Sequence, residues 1–418
     1  MKKKRLVAKF YLKDGLAIRN PQSLDKYSPS EIINIYNDMG VDELIIFDLS
    51  TGDAEHEKNL HALKEICTNS QMMVFAGGNI KRFEDVKKIL YAGCQMAIIE
   101  ADKEDAIDIA MQSAKRFGKV KQLAYFKSEA DISKYLKISD YCIGFICEEI
   151  VSDNLFGGEY IAVVDDTCNI EEALSNSEIC AVASESLNDP KINIRALKDE
   201  LISKDIDMDI LTSNIPFSEF KLNSDGLIPV IAQDYMTDEV LMLAYMNEEA
   251  YNKTLKIGKM TYYSRSRQKL WTKGEESGHF QYVRSLTLDC DNDTILAKVH
   301  QIGPACHTGN RNCFFNKLVA RDDIRSNPLK VLDEVYDVIS DRKVNPKEGS
   351  YTNYLFDKGV DKILKKVGEE AAEIIIAAKN PENEEVVYEI SDFLYHVMVL
   401  MAQKEISWQD VMQELARR

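Results

Sequence analysis

Short apolar runs alternate with amphipathic stretches through the first half of the chain. The runs are rich in β-branched and aromatic residues and lie at residues 7–12, 43–50, 72–77, 96–100, 122–127, 141–147, 160–164 and 179–183. Patterns of helical period fill most of the gaps, for example at 30–38, 55–66, 82–92 and 105–116. This alternation predicts parallel strands joined by crossover helices. Eight repeats predict a (β/α)8-like barrel over residues 1–212, although the connection at 151–158 is short for a full helix.

The pattern changes twice further along the chain. Around residues 206–223 the alternation stops, and Asn214, Pro216 and a turn at 223–226 mark a linker. A β-rich segment follows, with a helix predicted within 238–256 and strands at 227–232, 259–264, 280–288 and 294–301. After Asn316, long 3.6-residue periods predict helices at 328–341, 360–378 and 382–403, with a short one from Trp408. We therefore expect a multidomain chain: the barrel, a central α+β domain at 213–318 and a C-terminal all-α bundle at 319–418.

The charge of the chain narrows the possible functions. The 418 residues carry a formal net charge of -17, which argues against an extended nucleic-acid-binding surface. No run approaches the ~18 apolar residues of a membrane span, and no apolar segment follows the basic start of the chain. We expect a cytoplasmic protein with no nucleic-acid or membrane partner. Its nine cysteines are then expected to be reduced, and the six without ligand spacing to pack in the core: Cys67, Cys94, Cys142, Cys147, Cys168 and Cys180.

Three cysteines, three aspartates and a histidine lie close together in the central domain. They are Asp289, Cys290, Asp291, Asp293, Cys306, His307 and Cys313. Thiolates are the ligands that zinc prefers and carboxylates those that magnesium prefers, so one segment carries ligands for two different ions. Three protein ligands plus water is the catalytic zinc pattern. The segment predicts a hydrolytic metal site, with His307 as general acid/base.

The spacing of these ligands bears on the oligomeric state. On a strand, Asp289, Asp291 and Asp293 would face one way and Cys290 the other. One solution is a dimer in which Cys290 completes a zinc site with Cys306 and Cys313 of the other subunit. Two alternatives stay open: a structural zinc with His307 as the fourth ligand, or three unrelated thiols.

The central segment closely resembles phosphoribosyl-AMP cyclohydrolase of histidine biosynthesis. The motifs that carry the resemblance are Gln233-Asp234 and residues 240–247, 264–267, 270–275, 289–293 and 305–309. The resemblance implies a homodimer, zinc on the three cysteines with Cys290 from the partner chain, and magnesium on the three aspartates. It also implies that zinc-activated water opens the N1–C6 bond of the adenine ring. Residues implied to contact the substrate are Arg265, Arg267, Trp271 and Lys273, although a Ser-Arg-Ser-Arg run is also typical of a solvated loop.

Paired carboxylates recur on two predicted helices of the C-terminal domain. Glu370 and Glu373 are three residues apart on one helix, and Glu389 and Asp392 repeat the spacing on the next. Since positions i and i+3 share a helix face, two antiparallel helices can direct four carboxylates at one hard cation. A charged solvent face is the alternative, but Asp392 lies in an apolar segment, where an unpaired carboxylate is costly.

This domain resembles phosphoribosyl-ATP pyrophosphohydrolase, one of the all-α nucleotide pyrophosphohydrolases. The resemblance lies in residues 349–352, 365–373 and 389–396. It implies magnesium on the four carboxylates, Lys366 as a phosphate contact, Ser350 as a substrate contact and a dimer or larger oligomer. His396, on an apolar helix, is predicted to be a core histidine. The two activities are consecutive, so the chain is predicted to be a bifunctional hydrolase acting on small nucleotides; a metal-stabilised scaffold without turnover is the alternative.

The N-terminal segment resembles the histidine-pathway barrels, namely the isomerase and the cyclase subunit of imidazole glycerol phosphate synthase. Residues 13–15, 42–48, 76–81 and 92–94 carry the resemblance. Those enzymes use an aspartate at the ends of the first and fifth strands, where this chain has Tyr11 and, by our alignment, Phe126. Their second phosphate site aligns with Asp165-Asp166, which would repel phosphate. We expect a catalytically silent barrel in which Gly77-Gly78 could bind one phosphate; the alternative is isomerase or cyclase activity with relocated residues.

Overall fold

The N-terminal sheet closes into a barrel of eight parallel strands. The computed structural model describes residues 3–127, 137–150, 160–165, 167–319 and 330–416. The parallel strands are β1 (Arg5–Lys13), β3 (Glu43–Asp48), β4 (Met73–Gly77), β5 (Met96–Glu100), β6 (Gln122–Phe126), β7 (Gly144–Cys147), β8 (Tyr160–Val163) and β9 (Ile179–Ser184), and β1 pairs with β9. A short strand, β2 (Leu16–Ile18), runs antiparallel to β1. The predicted barrel is confirmed; its 151–158 connection lies outside the described residues.

Helices cover the outside of the barrel. They are α1 (Pro29–Met39), α2 (Asp53–Asn69), α3 (Phe83–Ala92), α4 (Ala106–Phe117), α5 (Ile170–Ser175) and α6 (Ile194–Ser203). Helix α1 begins with a capping box in which Ser28 and Glu31 bond each other's backbone amides, and it ends at Gly40, whose φ of 85° suits a left-handed cap. Cys94, Cys142 and Cys147 are buried in this helix–strand layer, as predicted for cysteines without ligand spacing; the side chain of Cys168 lies outside the described part.

Alternate strand residues separate into two cores. One set, which includes Tyr11, Phe47 and Tyr125, packs inside the barrel, and the other packs between strands and helices. Phe126 belongs to the outer set, where its ring lies 6.0 Å from that of Phe145. The alignment that put Phe126 at the mouth of the barrel is therefore wrong. The inward residue at the end of this strand is Tyr125, because neighbouring residues of a strand face opposite sides.

The central domain is built on a four-stranded sheet of order β11-β10-β15-β14. Its strands are β10 (Ile228–Asp234), β11 (Val240–Met246), β14 (Gln281–Leu288) and β15 (Ile295–Gln301), and a separate hairpin joins β12 (Thr261–Ser264) to β13 (Lys269–Thr272). Helix α7 (Glu248–Ile257) begins only after Asn247, whose side chain accepts from the Ala250 amide. The interval 238–256 does hold the predicted helix, but its first part is strand β11, which was not predicted because a seven-residue apolar run has no period that separates strand from helix.

The barrel contacts the central domain through polar groups. Arg284 of β14 donates from Nη1 to the Gln71 carbonyl at 3.2 Å and from Nη2 to Gln71 Oε1 at 2.8 Å. The same Gln71 oxygen lies 2.8 Å from His300 Nδ1 of β15. Lys259 forms an ion pair with Asp38 of α1. The two domains form one compact unit, Met1–Lys317, so the boundary predicted at residue 212 stays a prediction.

The second compact unit, Leu318–Arg418, is helical in its described part. Its helices are α8 (Val331–Val344), α9 (Tyr351–Lys358), α10 (Val360–Ala377), α11 (Asn383–Lys404) and α12 (Trp408–Ala416). Ile339, Leu355, Ile363 and Val399 form the centre of its core. The predicted all-α bundle is confirmed. Among the described residues, no helix is long and apolar enough to cross a membrane.

Candidate active sites

Two of the three candidate zinc ligands come together on the loop after β15. The thiols of Cys306 and Cys313 lie close enough for each to shift the pKa of the other. Cys306 is 7% exposed, and its sulfur lies 3.1 Å from Thr308 Oγ1. Hydrogen bonds from Thr308 lower the pKa of the Cys306 thiol, whereas burial and the neighbouring Cys306 raise the pKa of Cys313. The pair therefore loses its first proton more readily than a buried thiol would, as a metal ligand must.

Lys273 is a buried cation near this thiol pair. It is 8% exposed, and its Nζ donates to the His279 carbonyl at 3.2 Å. Burial lowers the pKa of Lys273, and the neighbouring Cys313 and Cys306 partly restore it. A cation close to two thiols favours their thiolate forms. Lys273 thus lies beside the thiols of the central site, and its predicted contact with the substrate stays a prediction.

The three aspartates converge in the turn between β14 and β15. Asp289, Asp291 and Asp293 each offer an oxygen within 4.8 Å of the others, and all three are exposed. Asp289 Oδ1 accepts from the amides of Asp293 at 3.0 Å and Thr294 at 3.2 Å. Desolvation acts to raise the pKa of Asp289, but these amide bonds outweigh it and lower the pKa. No ion pair neutralises the three carboxylates within the described residues, which suits a hard cation.

Residues 289–293 do not lie on a strand, in contrast to the assumption made from the sequence. Strand β14 ends at Leu288, and residues 289–293 form a turn in which Asn292 has a φ of 64°. The aspartates therefore converge through a turn and not through the alternation of a strand. Cys290 is exposed beside them, with its sulfur 4.0 Å from Asp291 Oδ1. No three-residue ligand group of the described chain contains a cysteine, so one chain does not gather all three thiols.

The remaining predicted residues of the central domain lie at its surface or in its packing. Arg265 places its guanidinium 4.0 Å from the centre of the Tyr245 ring, and Arg267 is exposed on the β12–β13 turn. Trp271 packs its ring 5.1 Å from that of Tyr262, so it also serves the core. His307 is exposed, and its Nδ1 lies 4.0 Å from the Cys306 sulfur.

A cavity of about 480 Å³ opens beside the aspartate turn. Linker residues 211–215 line it together with β14, and Asp289 and Asn292 lie at its edge. Its size lies in the range of small-molecule pockets. The linker was expected only to join domains, because nothing in a polar stretch of sequence shows which strand it will pack against.

Three carboxylates of the helical unit form the second ligand group. Glu370 and Glu373 of α10 and Glu389 of α11 bring one oxygen each within 4.8 Å of the others. Glu370 is 5% exposed, and Glu389 Oε2 is buried with no hydrogen-bond partner within the described chain. Burial, followed by the neighbouring carboxylates, raises the pKa of Glu389, and Asp392 contributes to this shift. Asp392 is close by but does not belong to the three-residue group.

The other predicted residues of the helical unit, Lys366, Ser350 and His396, all have polar partners. Lys366 Nζ lies 2.9 Å from Glu369 and 3.7 Å from Glu370. Ser350 caps α9, since its hydroxyl accepts from the Asn353 amide at 3.4 Å. His396 is buried, with Nδ1 2.9 Å from the Asp392 carbonyl and Nε2 3.1 Å from the Tyr351 hydroxyl. Both ring nitrogens thus have partners, Nδ1 also lies 3.5 Å from Glu370 Oε1, and the burial of the ring confirms His396 as a core residue.

Tyr351 was not identified from the sequence. Its hydroxyl reaches His396, and its pKa is raised by burial, while nearby Lys366 acts in the opposite direction. The residue lies directly after the predicted Ser350, but a tyrosine at the start of a helix carries no chemical signal of its own. Only the packing of α9 on α11 shows that it lies beside the carboxylate group.

The mouth of the barrel also holds carboxylates, each with a partner. The Tyr11 hydroxyl donates to Glu185 and the Tyr125 hydroxyl to Glu148. Lys9 Nζ lies 3.6 Å from Glu148. Burial and then these carboxylates raise the pKa of both tyrosines. Neither tyrosine is suited to lose a proton at neutral pH.

The glycine pair at the end of β4 is explained by packing. A Cβ on Gly77 would lie 2.6 Å from the Ile98 carbonyl oxygen, and one on Gly78 would lie 2.4 Å from that of Asp48. Gly78 also has a φ of 83°. Both glycines are therefore required by the fold, whether or not a phosphate binds there. Of the aspartates aligned with the second phosphate site, Asp165 is exposed and Asp166 lies outside the described residues.

Three family models match the chain. Residues 242–315 match phosphoribosyl-AMP cyclohydrolase, residues 332–418 match phosphoribosyl-ATP pyrophosphohydrolase, and residues 12–125 match a histidine biosynthesis protein family. The first two matches coincide with the thiol–aspartate site and the carboxylate group. Fold, sites and families together define the class of the chain, a bifunctional cyclohydrolase and pyrophosphohydrolase.

Curated relatives extend this assignment to the pathway. A histidine biosynthesis bifunctional protein HisIE of Thermoanaerobacter pseudethanolicus is 54% identical over 209 residues, which are 47% of this chain and 97% of the relative. The proteins of the same name from Lactococcus lactis and Bacillus subtilis are 55% and 48% identical, with 88% and 95% of their lengths covered. The chain belongs to this family of bifunctional histidine biosynthesis proteins. Each of these relatives matches about half of the chain.

Proposed function

We propose that the C-terminal unit releases pyrophosphate from phosphoribosyl-ATP and that the central domain then opens the adenine ring of the product with zinc-activated water. The observation that carries the zinc assignment is the loop after β15, whose Ala305–Arg311 and Cys306–Asn310 backbone bonds bring Cys306 and Cys313 together beside Lys273. A zinc ion held by three thiolates supplies a Lewis acid that lowers the pKa of water to about 7. Lys273 favours the thiolate forms of its neighbours, and His307 is the general acid/base that moves a proton at the adenine ring.

The third zinc ligand is assigned to Cys290 of a second copy of the chain. Cys290 is exposed and separate from the Cys306–Cys313 pair within one chain. Since a third thiolate must come from elsewhere, the active cyclohydrolase is a homodimer with shared zinc sites. A structural zinc with His307 as the fourth ligand is the alternative, since His307 Nδ1 lies 4.0 Å from the Cys306 sulfur; ring opening by the full chain would support the catalytic assignment.

Magnesium is assigned to the three aspartates of the β14–β15 turn. Their oxygens converge without a cationic partner, which fits a hard ion. The cavity along residues 211–215 leads to this turn and is assigned to the nucleotide. Arg265 and Arg267, exposed on the hairpin, contact its phosphate, whereas Trp271 supports the hairpin and presents one edge of its ring to the substrate.

A second magnesium site is assigned to Glu370, Glu373, Glu389 and Asp392. The buried, unpartnered oxygen of Glu389 is the observation that supports it, since such an atom is costly unless a ligand satisfies it. Magnesium held by these carboxylates would supply positive charge that offsets the charge of the substrate phosphates. Lys366 binds a phosphate oxygen after leaving Glu369, and Ser350 contacts the substrate from the start of α9.

The helical unit also has an apolar face that supports an oligomer. Ile375 and Ile376 of α10 and Val387 and Tyr388 of α11 are each more than 60% exposed. Exposed apolar residues grouped next to a ligand group are typical of a subunit interface. We assign this face to a second copy of the helical unit, in line with the homo-oligomer predicted from the sequence.

The barrel is assigned a structural role. Tyr11 and Tyr125 close its mouth in hydrogen bonds to Glu185 and Glu148, and the opposite end contacts the central domain through Gln71 and Asp38. A second candidate function rests on the same glutamates. They are two carboxylates at the ends of different strands, as relocated acid/base residues of an isomerase or cyclase would be.

The decisive experiment follows phosphoribosyl-ATP in the presence of magnesium and zinc. We expect pyrophosphate release and then the absorbance change of ring opening from the full chain. The absence of substrate consumption above background would favour the scaffold without turnover. Consumption of phosphoribosyl-ATP without ring opening would contradict the zinc assignment alone.

A further inference from the structure

The loop that carries both thiols of the central site is closed by its own backbone. The Ala305 amide donates to the Arg311 carbonyl at 3.0 Å, and the Cys306 amide donates to the Asn310 carbonyl at 3.1 Å. Gly309, with a φ of 86°, turns the chain between them. Arg311 therefore lies opposite Ala305, between the two cysteines in sequence. Because Arg311 precedes Cys313 by two residues, the placement of Arg311 determines where Cys313 lies.

The Arg311 side chain ties this loop to the turn between β10 and β11. Its Nη2 lies 3.0 Å from Asp234 Oδ2, and its Nε lies 3.3 Å from Glu239 Oε2. Asn312 adds a bond of 2.5 Å from its side-chain nitrogen to Glu239 Oε1. One guanidinium thus spans two carboxylates that belong to a different part of the sheet. Charged, forked bonds of this kind fix orientation as well as distance.

Asp234 is a rigid anchor for this contact. It is 2% exposed, at the end of β10. Its second oxygen accepts from the amides of Met236 at 2.9 Å and Thr237 at 3.1 Å. Both oxygens of this buried carboxylate therefore have hydrogen-bond partners, which fix its position. Residues 307–311 of the loop are exposed, so the fixed carboxylate restrains the loop through Arg311.

We propose that Arg311 is a positioning residue of the cyclohydrolase site, which orders the loop that carries Cys306 and Cys313 so that both thiols can bind one zinc ion. The proposal rests on the zinc assignment made above. Arg311 touches neither thiol. It acts through the loop backbone, whose exit is fixed by the bond from the Cys313 amide to the Leu241 carbonyl at 2.7 Å. Without the guanidinium, zinc binding must also order the loop, which weakens the binding of the ion.

The test compares Arg311→Ala and Arg311→Lys with the wild-type full chain. A matched control is Lys298→Ala, which removes the 2.9 Å ion pair between Lys298 and Asp238, a residue of the same β10–β11 turn. Zinc retention is measured by competition with a chromogenic chelator, and the reactivity of the thiols in the zinc-free protein is measured with an aromatic disulfide. Pyrophosphate release by the helical unit serves as an internal measure of intact protein.

We expect Arg311→Ala to lose zinc affinity and ring-opening rate by about 10- to 100-fold, the usual effect of removing a group that orients metal ligands. Arg311→Lys should recover part of this loss, because an ammonium reaches one carboxylate but not both. The thiols of zinc-free Arg311→Ala should react faster than those of the wild type. Lys298→Ala should match the wild type in all three measurements.

Two outcomes would overturn the proposal. If Arg311→Ala retains zinc within twofold of Lys298→Ala, the guanidinium does not position the thiols. If Arg311→Ala fails to fold, Glu239→Gln replaces it in the test, since this variant keeps the size of the side chain and weakens the contact with Arg311. Unchanged zinc affinity in Glu239→Gln would then contradict the positioning role of Arg311. Failure of the zinc assignment itself would be recognised separately. In that case Cys306→Ser would bind as much zinc as the wild-type chain.

Discussion

The mouth of the barrel and the carboxylate group of the helical unit both gather acidic side chains, but they differ in how those side chains are satisfied. At the barrel mouth, Glu148 and Glu185 accept from tyrosine hydroxyls, and Lys9 lies near Glu148. In the helical unit, Glu370, Glu373 and Glu389 face one another, and Glu389 Oε2 has no partner within the described chain. Carboxylates with internal donors stabilise a fold, whereas carboxylates that repel one another require a cation.

The largest expected effect separates the two hydrolytic sites. Glu373→Gln should reduce pyrophosphate release by about 10³-fold or more and leave ring opening of phosphoribosyl-AMP intact, because it removes a ligand from only one site. Cys306→Ser should do the converse. Each variant is assayed with each substrate, at saturating metal. Loss of both activities in either variant would show that the sites are not independent.

A second variant pair tests the barrel side of the comparison. Glu148→Gln with Glu185→Gln keeps hydrogen-bond acceptors for Tyr125 and Tyr11 but removes both charges, so we expect pyrophosphate release and ring opening to stay within about twofold of wild type, consistent with a structural role. The same double variant is assayed against the ring-opened aminoimidazole nucleotide. If the wild-type chain turns over that compound and the double variant does not, the barrel is an enzyme and its carboxylates are catalytic, not structural.

The pH dependence of the helical unit sharpens the comparison further. The pKa values of Glu370 and Glu389 are raised above the ordinary value of 4.5, first by burial and then by neighbouring carboxylates. The folded state therefore holds protons more tightly than the unfolded state, and without magnesium the stability of this unit should fall as the pH rises above about 4.5. Thermal unfolding of the magnesium-free protein measures this trend.

The controls for that trend are magnesium and one substitution. Saturating magnesium should abolish the decline, since the ion replaces the protons. Glu389→Gln should flatten it even without the ion, because one of the repelling charges is gone. If the midpoint of thermal unfolding of the magnesium-free protein is the same at about pH 5 and about pH 8, the carboxylates do not repel one another in solution.

The smallest expected effect concerns the contact between the barrel and the central domain. Arg284→Ala removes two bonds to Gln71 at an exposed position, so we expect a loss of about 0.5–1 kcal/mol in the stability of the first unit. Arg267→Ala, an exposed arginine of the same domain on the β12–β13 turn, serves as the comparison for stability. Equal midpoints of thermal unfolding in the two variants would indicate that the barrel contact adds nothing measurable.

Much of the fold followed from periodicity. Eight apolar runs predicted the barrel, and long 3.6-residue periods predicted the bundle. The failures came where periodicity carries no information. Strand β11, at Val240–Met246, is a continuous apolar run for which no strand was predicted. Tyr125 and Phe126 are both apolar in pattern, and only the packing shows that Tyr125 faces the barrel interior and Phe126 the outer layer.

The chemistry of the sites was contained in the residue types, because thiols and carboxylates at these spacings have few other uses. Cysteines, aspartates and paired glutamates were identifiable without coordinates, and so was the bifunctional class that the family matches support. The tertiary structure decided which of these side chains meet. It placed Cys306 and Cys313 beside Lys273, left Cys290 outside any ligand group of the described chain, and brought Arg311 onto Asp234 across 77 residues of sequence. Distances between separate elements depend on packing, which local sequence does not encode.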